Sequence, residues 1–142
     1  MHFEDLSVGQ TASMAKTITE TDIVLFAGLT GDFNPLHVDK VAAAASVFGE
    51  RIAHGMLSAS LLCPVLGLRL PGPGTIHLQQ SLRFRRPVRI GDTIEAVVEI
   101  VELLEEKARV RLNTYCRNQD GEVVTSGEAL VQVPRAEAPR GA

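Results

Sequence analysis

The spacing of apolar positions changes halfway along the chain. In the first half Ile23, Phe26, Ala27 and Thr30 recur at i, i+3, i+4 and i+7, the spacing that lines one face of a helix. Thr19-Glu-Thr-Asp22 in front of them resembles a capping box and Gly31 can end the element, so the pattern predicts a helix over about 21–29. Pro35 has no backbone donor and pushes Asn34 out of the α region, which makes "DFNP" (32–35) a turn or loop. A short alanine-rich helix, "KVAAAASVF", is expected next, stopping at Gly49. From Gly55 to about Arg69 the sequence "GMLSASLLCPVLGLR" is apolar nearly all round, as an enclosed helix is. Pro64 removes a hydrogen bond to the Ser60 carbonyl and bends that helix, and "LPGPG" (70–74) ends it.

The second half alternates. Ile76, Leu78, Leu82 and Phe84 form one period-two run, Ile94, Ala96, Val98 and Ile100 a second, and Ala108, Val110 and Leu112 a third. Val123, Thr125, Ala129, Val131 and Val133 form the last, and turn chemistry at "RIGD" (89–92) and "NQDG" (118–121) separates the runs. Four such strands in succession predict an antiparallel meander. The fold class is therefore α+β, with helices first and then a long antiparallel sheet that curls around the enclosed helix.

At 142 residues the chain suits one domain, placed at 1–133, and the aperiodic "PRAEAPRGA" (134–142) reads as a flexible tail. A formal charge of -3 recommends neither nucleic acid nor an anionic membrane as a partner. The first residues lack the charge and apolar run of a secretory signal, and no stretch approaches the ~18 apolar residues of a membrane span, so a cytoplasmic protein is expected. Cys63 and Cys116 lack CxxC spacing and read as two reduced thiols, giving neither a disulfide framework nor a zinc cage.

Asp32 and His37, in "GDFNPLH", are the candidates for chemistry. On one reading Asp32 caps a turn and His37 fills space. On the other, the apolar neighbours Leu36 and Val38 and the rigid Pro35 hold a carboxylate and an imidazole at the edge of the core, where general acid/base pairs are found. A metal gathered by Asp32, His37, Asp39 and His54 fits poorly, because D-x4-H-x-D is no known ligand spacing. Gly55 is either a simple entry glycine, with His54 in the capping region, or a helix-start N–H left uncovered for an oxyanion. His77 is out of phase with its apolar neighbours and faces away from the core. Cys63, Ser58 and Ser60 lack the partners or the G-x-S-x-G elbow of a nucleophile. Arg83, Arg85 and Arg86 suit a solvated strand face, or a phosphate at the end of the sheet.

Taken together, "FAGLTGDFNPLHVDKVAAAAS" resembles the hydratase motif of R-specific enoyl-CoA hydratases in the MaoC-like dehydratase family. "RIAHGMLSASLL", "LPGPGTIHLQQSLRFRRPVRIGD" and "VTSGEALVQV" resemble the same family's helix entry, central strands and closing strand, so the likeness covers residues 5 to 133. It implies a hot-dog fold, a homodimer joined edge to edge between sheets, and syn addition of water to a trans-2-enoyl-CoA to give the R-3-hydroxyacyl-CoA. By that resemblance Asp32 and His37 bind the reacting water, the Gly55 N–H serves as the oxyanion donor, and Asn34 orders the loop. Cys63 stands where some relatives carry serine, and with Leu66 and Val131 it would bound a pocket for a short acyl chain. No cofactor is implied, coenzyme A being part of the substrate, and no metal. Supply of polyhydroxyalkanoate synthesis is one suggested role. The same fold also hosts thioesterases, acyl-carrier-protein dehydratases and non-catalytic acyl-binding modules, and the presence of both Asp32 and His37 favours hydration over the last.

Overall fold

A computed structural model describes residues 1–136. Six antiparallel strands form one sheet: β1 (Thr11–Thr17), β2 (Ile76–Gln80), β3 (Arg83–Phe84), β4 (Thr93–Leu104), β5 (Arg109–Arg117) and β6 (Val123–Gln132). Their order is β1-β4-β5-β6-β2, with β3 also paired to β6. The helices are α1 (Glu20–Thr30), α2 (Pro35–Val38), α3 (Lys40–Ala44), α4 (Gly55–Ser60) and α5 (Leu62–Leu68). The sheet curls so that α5 packs on β4, β1 and β5, the enclosed-helix arrangement expected.

The period-two reading of β4 is confirmed: Ile94, Ala96, Val98 and Ile100 are all fully buried. Each such aliphatic side chain, Ala96 apart, contributes about 1.5–3 kcal/mol by leaving water. On β5 the inward row runs on from Val110 and Leu112 through Thr114 to Cys116. On β6 the pattern slips by one residue near its start, where Cys116 faces Thr125 but Arg117 faces Val123. That irregularity puts Val124 into the core and leaves Val123, expected there, half-buried.

Two expectations need correction, and one strand was not expected at all. The meander holds for β4, β5 and β6 alone, because the 76–84 run breaks at Ser81 and joins β6 instead of β4. Of its apolar side chains only Leu82 is half-buried as expected: Ile76 and Leu78 on the edge strand β2 are 56% and 41% exposed, and Phe84 on the short β3 is 53% exposed. The opening segment is itself a strand, β1, pairing along its whole length with β4.

The enclosed helix is two helices. The chain breaks at Leu61, which ends α4 and starts α5, so Pro64 is the third residue of α5. In the first turn of a helix the missing N–H has no intrahelical acceptor to lose, so the interruption expected from Pro64 takes the form of a new helix start. The alanine-rich helix is also shorter than expected, α3 ending at Ala44 before a turn closed by Gly49. Of the expected tail, Pro134–Ala136 are tied to the N-terminal turn: Phe3 N–H donates to the Pro134 carbonyl at 2.9 Å and Ala136 N–H to Glu4 at 3.0 Å. The remainder of that tail lies outside the described residues.

The expected capping box is formed. Thr19 accepts from the Asp22 N–H, and the Asp22 carboxylate accepts from the Thr19 N–H at 2.9 Å and meets the Lys16 ammonium at 2.9 Å. Burial works against the charged carboxylate, but these bonds outweigh it and hold Asp22 below the ordinary aspartate range. A depressed value stabilises the fold above the unfolded pKa and loses that stabilisation as pH falls through the folded one. Asp22→Ala should therefore cost about 1 kcal/mol at neutral pH. In urea titrations the gap to wild type should narrow as pH is lowered past the ordinary aspartate value, and a gap that persists in acid would assign the loss to something else.

Candidate active site

Gly31 ends α1 in the left-handed conformation, φ 81°, which turns the chain sharply out of the helix. The next residues carry their own hydrogen bonds. Asp32 Oδ1 accepts from the Asn34 N–H at 3.2 Å, and Asn34 Oδ1 accepts from the Leu36 N–H at 3.1 Å. Asn34 thereby caps α2, and Pro35 occupies its first position, where a missing donor costs nothing. The turn expected at 32–35 is present, and His37 stands just beyond it on a single helical turn.

That turn is pinned from behind by the segment before α4. Ile52 N–H donates to the Leu36 carbonyl at 3.1 Å, and Arg51 bonds the His37 carbonyl at 2.7 Å while reaching Glu20 of α1 at 2.5 Å. Ala53 N–H donates to the Val88 carbonyl at 2.7 Å, tying the segment to the strand side. His37 is 8% exposed, and its Nδ1 lies 2.8 Å from the Ile52 carbonyl oxygen. A carbonyl can only accept, so Nδ1 carries the hydrogen and the neutral ring keeps its lone pair on Nε2.

These elements enclose a cavity of about 650 Å³. Asp32, His37, His54 and Gly55 all line it, with the aromatic rings of Phe26, Phe48 and Phe84 and the buried Ser58 and Thr125. A carboxylate oxygen of Asp32 and one ring nitrogen each of His37 and His54 lie within 4.8 Å of one another. The trio is the group that could share an ion or a water. Asp39, considered with them from the sequence, instead caps α3, its Oδ1 accepting from the Val41 and Ala42 N–H groups at 3.0 and 3.1 Å.

Gly55 opens α4, and its N–H has no hydrogen-bond partner among the described residues. With α4 only six residues long, the dipole support expected from a long buried helix is that of a short one. A Cβ at Gly55 would come within 2.7 Å of the Phe84 ring, so only glycine lets β3 close over this amide.

Cys63, Leu66 and Val131 do not line the cavity. Cys63 is exposed, whereas Leu66 and Val131 are buried in the core under the sheet. Cys116 also lies behind the site, donating from Sγ to the Ser58 carbonyl at 3.5 Å, and burial pushes its thiol up to about 12. His77 is exposed and bonds Gln80. Arg85 and Arg86 reach the cavity wall, one bonded to Ser126 and the other paired with Glu122, whereas Arg83 is exposed and away from it. Sequence reasoning missed Phe84, Ser58 and Thr125 as wall residues: no local signal marks Phe84 and Thr125, which meet through the pairing of β3 with β6, whereas Ser58 lies one helical turn after Gly55 on α4, a spacing that could have placed it. His54 did carry a signal, an imidazole directly before the helix-opening glycine, but it suggested capping, and the ring makes no cap bond.

The chain is similar to known proteins over nearly its whole length. Residues 6–122 match the model of the MaoC-like domain. An (R)-specific enoyl-CoA hydratase of Rhodospirillum rubrum is 56% identical over 133 residues, covering 94% of this chain and 92% of the relative. A 3-hydroxybutyryl-CoA dehydratase of Methylorubrum extorquens is 52% identical over 137 residues, covering 96% and 87%. Among solved structures, an (R)-hydratase from A. caviae involved in PHA biosynthesis superposes with a TM-score of 0.89 at 44% identity, covering 92% of this chain and 99% of that one.

Proposed function

The chain belongs to the family of MaoC-like domains, and on that premise we propose that it is a hydro-lyase, an R-specific enoyl-CoA hydratase, whose reaction centre is the Asp32, His37 and Gly55 cluster. The observation that carries this is the convergence of a carboxylate and a buried imidazole on one cavity whose wall also holds a free backbone N–H. The hot-dog arrangement of sheet and helix matches that of the solved (R)-hydratase.

In the proposed reaction a water molecule hydrogen-bonds to Asp32 and to His37 Nε2, the two acceptors left free by their backbone tethers. Its oxygen forms the new bond to the β-carbon of a trans-2-enoyl thioester, and the proton it gives up is delivered to the α-carbon on the same face. Charge gathers on the thioester oxygen as the double bond is attacked, and the Gly55 N–H stabilises it, an interaction worth roughly 3 kcal/mol in such sites. Every step is a proton transfer or a bond to oxygen without change of redox state. The proposal therefore needs no redox cofactor, coenzyme A being part of the substrate, and it assigns activation of the water to Asp32 and His37 and polarisation of the carbonyl to the Gly55 N–H in place of a metal.

A short acyl chain is the proposed substrate. Ser58 and Thr125 bring two hydroxyl-bearing side chains to a wall made otherwise largely of apolar groups, which suits a short chain better than a long apolar one. Production of R-3-hydroxyacyl units for polyhydroxyalkanoate synthesis is consistent with the similarity to the A. caviae enzyme. A homodimer joined through β2 belongs to the same proposal: β2 leaves one backbone edge unpaired and displays Ile76 and Leu78, both features a second copy would cover. No helix among the described residues is long and apolar enough to cross a membrane. We place the protein in the cytoplasm, supported by the two free cysteines.

The direct test is the loss of the enoyl chromophore of crotonyl-CoA, with chiral analysis of the 3-hydroxybutyryl-CoA formed. Formation of the R enantiomer supports the proposal; release of free thiol with the double bond intact would select a thioesterase instead. A preference for the acyl-carrier-protein thioester over coenzyme A would move the protein to carrier-linked dehydration. Gly55→Ala should lower kcat about tenfold or more, because the methyl group displaces Phe84 from over the amide, while the Tm shifts by only a few degrees. Full activity in that variant would show that catalysis does not depend on Phe84 closing over the amide.

A further inference from the structure

His54 precedes α4, and its carbonyl accepts from the Leu57 N–H at 3.0 Å, but its side chain makes no cap bond to the helix. Its side chain turns back toward the 32–37 segment, where Nε2 lies 2.9 Å from the Asp32 carbonyl oxygen. Because that oxygen only accepts, Nε2 carries the hydrogen and a neutral ring keeps its lone pair on Nδ1. His37 has the opposite arrangement, with hydrogen on Nδ1 and lone pair on Nε2. The two imidazoles stack at 3.9 Å between centroids with 30° between their planes, and Phe26 packs against His54 at 4.9 Å. His54 is 2% exposed, and its Nδ1 is one of three buried side-chain polar atoms without a partner among the described residues.

A buried polar atom with no partner is costly and calls for a reason. Here the ring does two mechanical tasks and leaves that atom over. It tethers the backbone of Asp32 from one side and supports the ring of His37 from the other. We propose that His54 is a positioning residue of the reaction centre, fixing the carboxylate and the imidazole relative to each other through its bond to the Asp32 carbonyl and its stacking on His37. The inference rests on the hydratase reading. Its physical basis is that acid/base groups must be held to within a fraction of an ångström of the reacting atoms, and Asp32 itself is exposed and on a turn.

Two substitutions separate the tasks. His54→Gln keeps a donor near the Nε2 position and loses the ring; His54→Phe keeps a ring between Phe26 and His37 and loses the donor. With crotonyl-CoA, His54→Phe is expected to lower kcat by about 10–100-fold with KM changed less than about threefold, and His54→Gln to recover part of that loss. Imidazole nitrogen NMR of the wild-type protein should show His37 as the Nδ1–H tautomer and His54 as the Nε2–H tautomer. Wild-type kcat in both variants, or a loss that appears in KM alone, would overturn the proposal, and so would the Nδ1–H form of His54. Should a variant fail to fold, the wild-type tautomers decide the matter. A wild-type protein that shows these tautomers but hydrates no enoyl thioester would defeat the hydratase reading while leaving the observed tether in place.

Discussion

Asp32→Asn and His37→Asn are each expected to lower kcat for crotonyl-CoA hydration by about 10²–10⁴-fold, the range for removal of a positioned proton-transfer group. Both substitutions spare the local structure. Asparagine at 32 keeps an oxygen able to accept from the Asn34 N–H, so the turn that presents it survives. Asparagine at 37 places an amide N–H near the Nδ1 position, where it can still donate to the Ile52 carbonyl, and removes the Nε2 acceptor together with the ring face stacked on His54. Tm should therefore stay within a few degrees of wild type, and KM should move far less than kcat. If the two residues act on one water, the double variant should be little worse than either single one, because groups that work as a unit are strongly non-additive. Losses that multiply would place them on separate steps.

Gly127→Ala is expected to be among the most destabilising single substitutions in the chain. A Cβ there would come within 1.9 Å of the Ser81 carbonyl oxygen and 2.6 Å of its carbon, so the obstacle is backbone and cannot swing aside. The corner between β2 and β3 would have to lift from β6. It would then lose the Ser81 N–H to Glu128 carbonyl bond at 2.9 Å and the return bond from the Glu128 N–H to Ser81 Oγ at 2.9 Å. Overpacking costs about 1–3 kcal/mol and each lost bond about 1 kcal/mol more, so a loss of about 3 kcal/mol is expected, a fall in Tm on the order of 10 °C. Because β2 carries the proposed dimer edge and β3 carries Phe84, activity should fall with it. A Tm within two or three degrees of wild type would show that the corner is free to move.

The parts of the fold that sequence predicted well are those where one residue's environment follows from its neighbours along the chain. The β4 alternation is clear because the strand is paired on both edges and packs one face against α5, and the α1 cap is clear because all its atoms lie within four residues. What was misread depends on distant pairing. Ile76 and Leu78 alternate as core residues do, yet the edge position of β2 leaves them exposed. Val124 displaced Val123 because of an irregularity in the ladder with β5, which no local pattern announces. Likewise β1 has only Ala12 and Met14 to mark its inward face, both partly buried. At the site, the Pro35 turn and the Gly55 entry identified Asp32, His37 and Gly55, and the structure brings all three to one cavity. The tether from His54 to the Asp32 carbonyl joins residues 22 apart in sequence through a backbone atom, and side-chain chemistry read from a sequence cannot reveal a backbone acceptor.

The central claim is that Asp32 and His37 address one oxygen atom while the Gly55 amide addresses another. A crystal structure of the Asp32→Asn variant with bound (R)-3-hydroxybutyryl-CoA tests it most directly. The 3-hydroxyl should lie within hydrogen-bond reach of both residue 32 and His37 Nε2, with the thioester oxygen on the Gly55 N–H. A 3-hydroxyl remote from these side chains, or a thioester oxygen bound away from Gly55, would contradict the account.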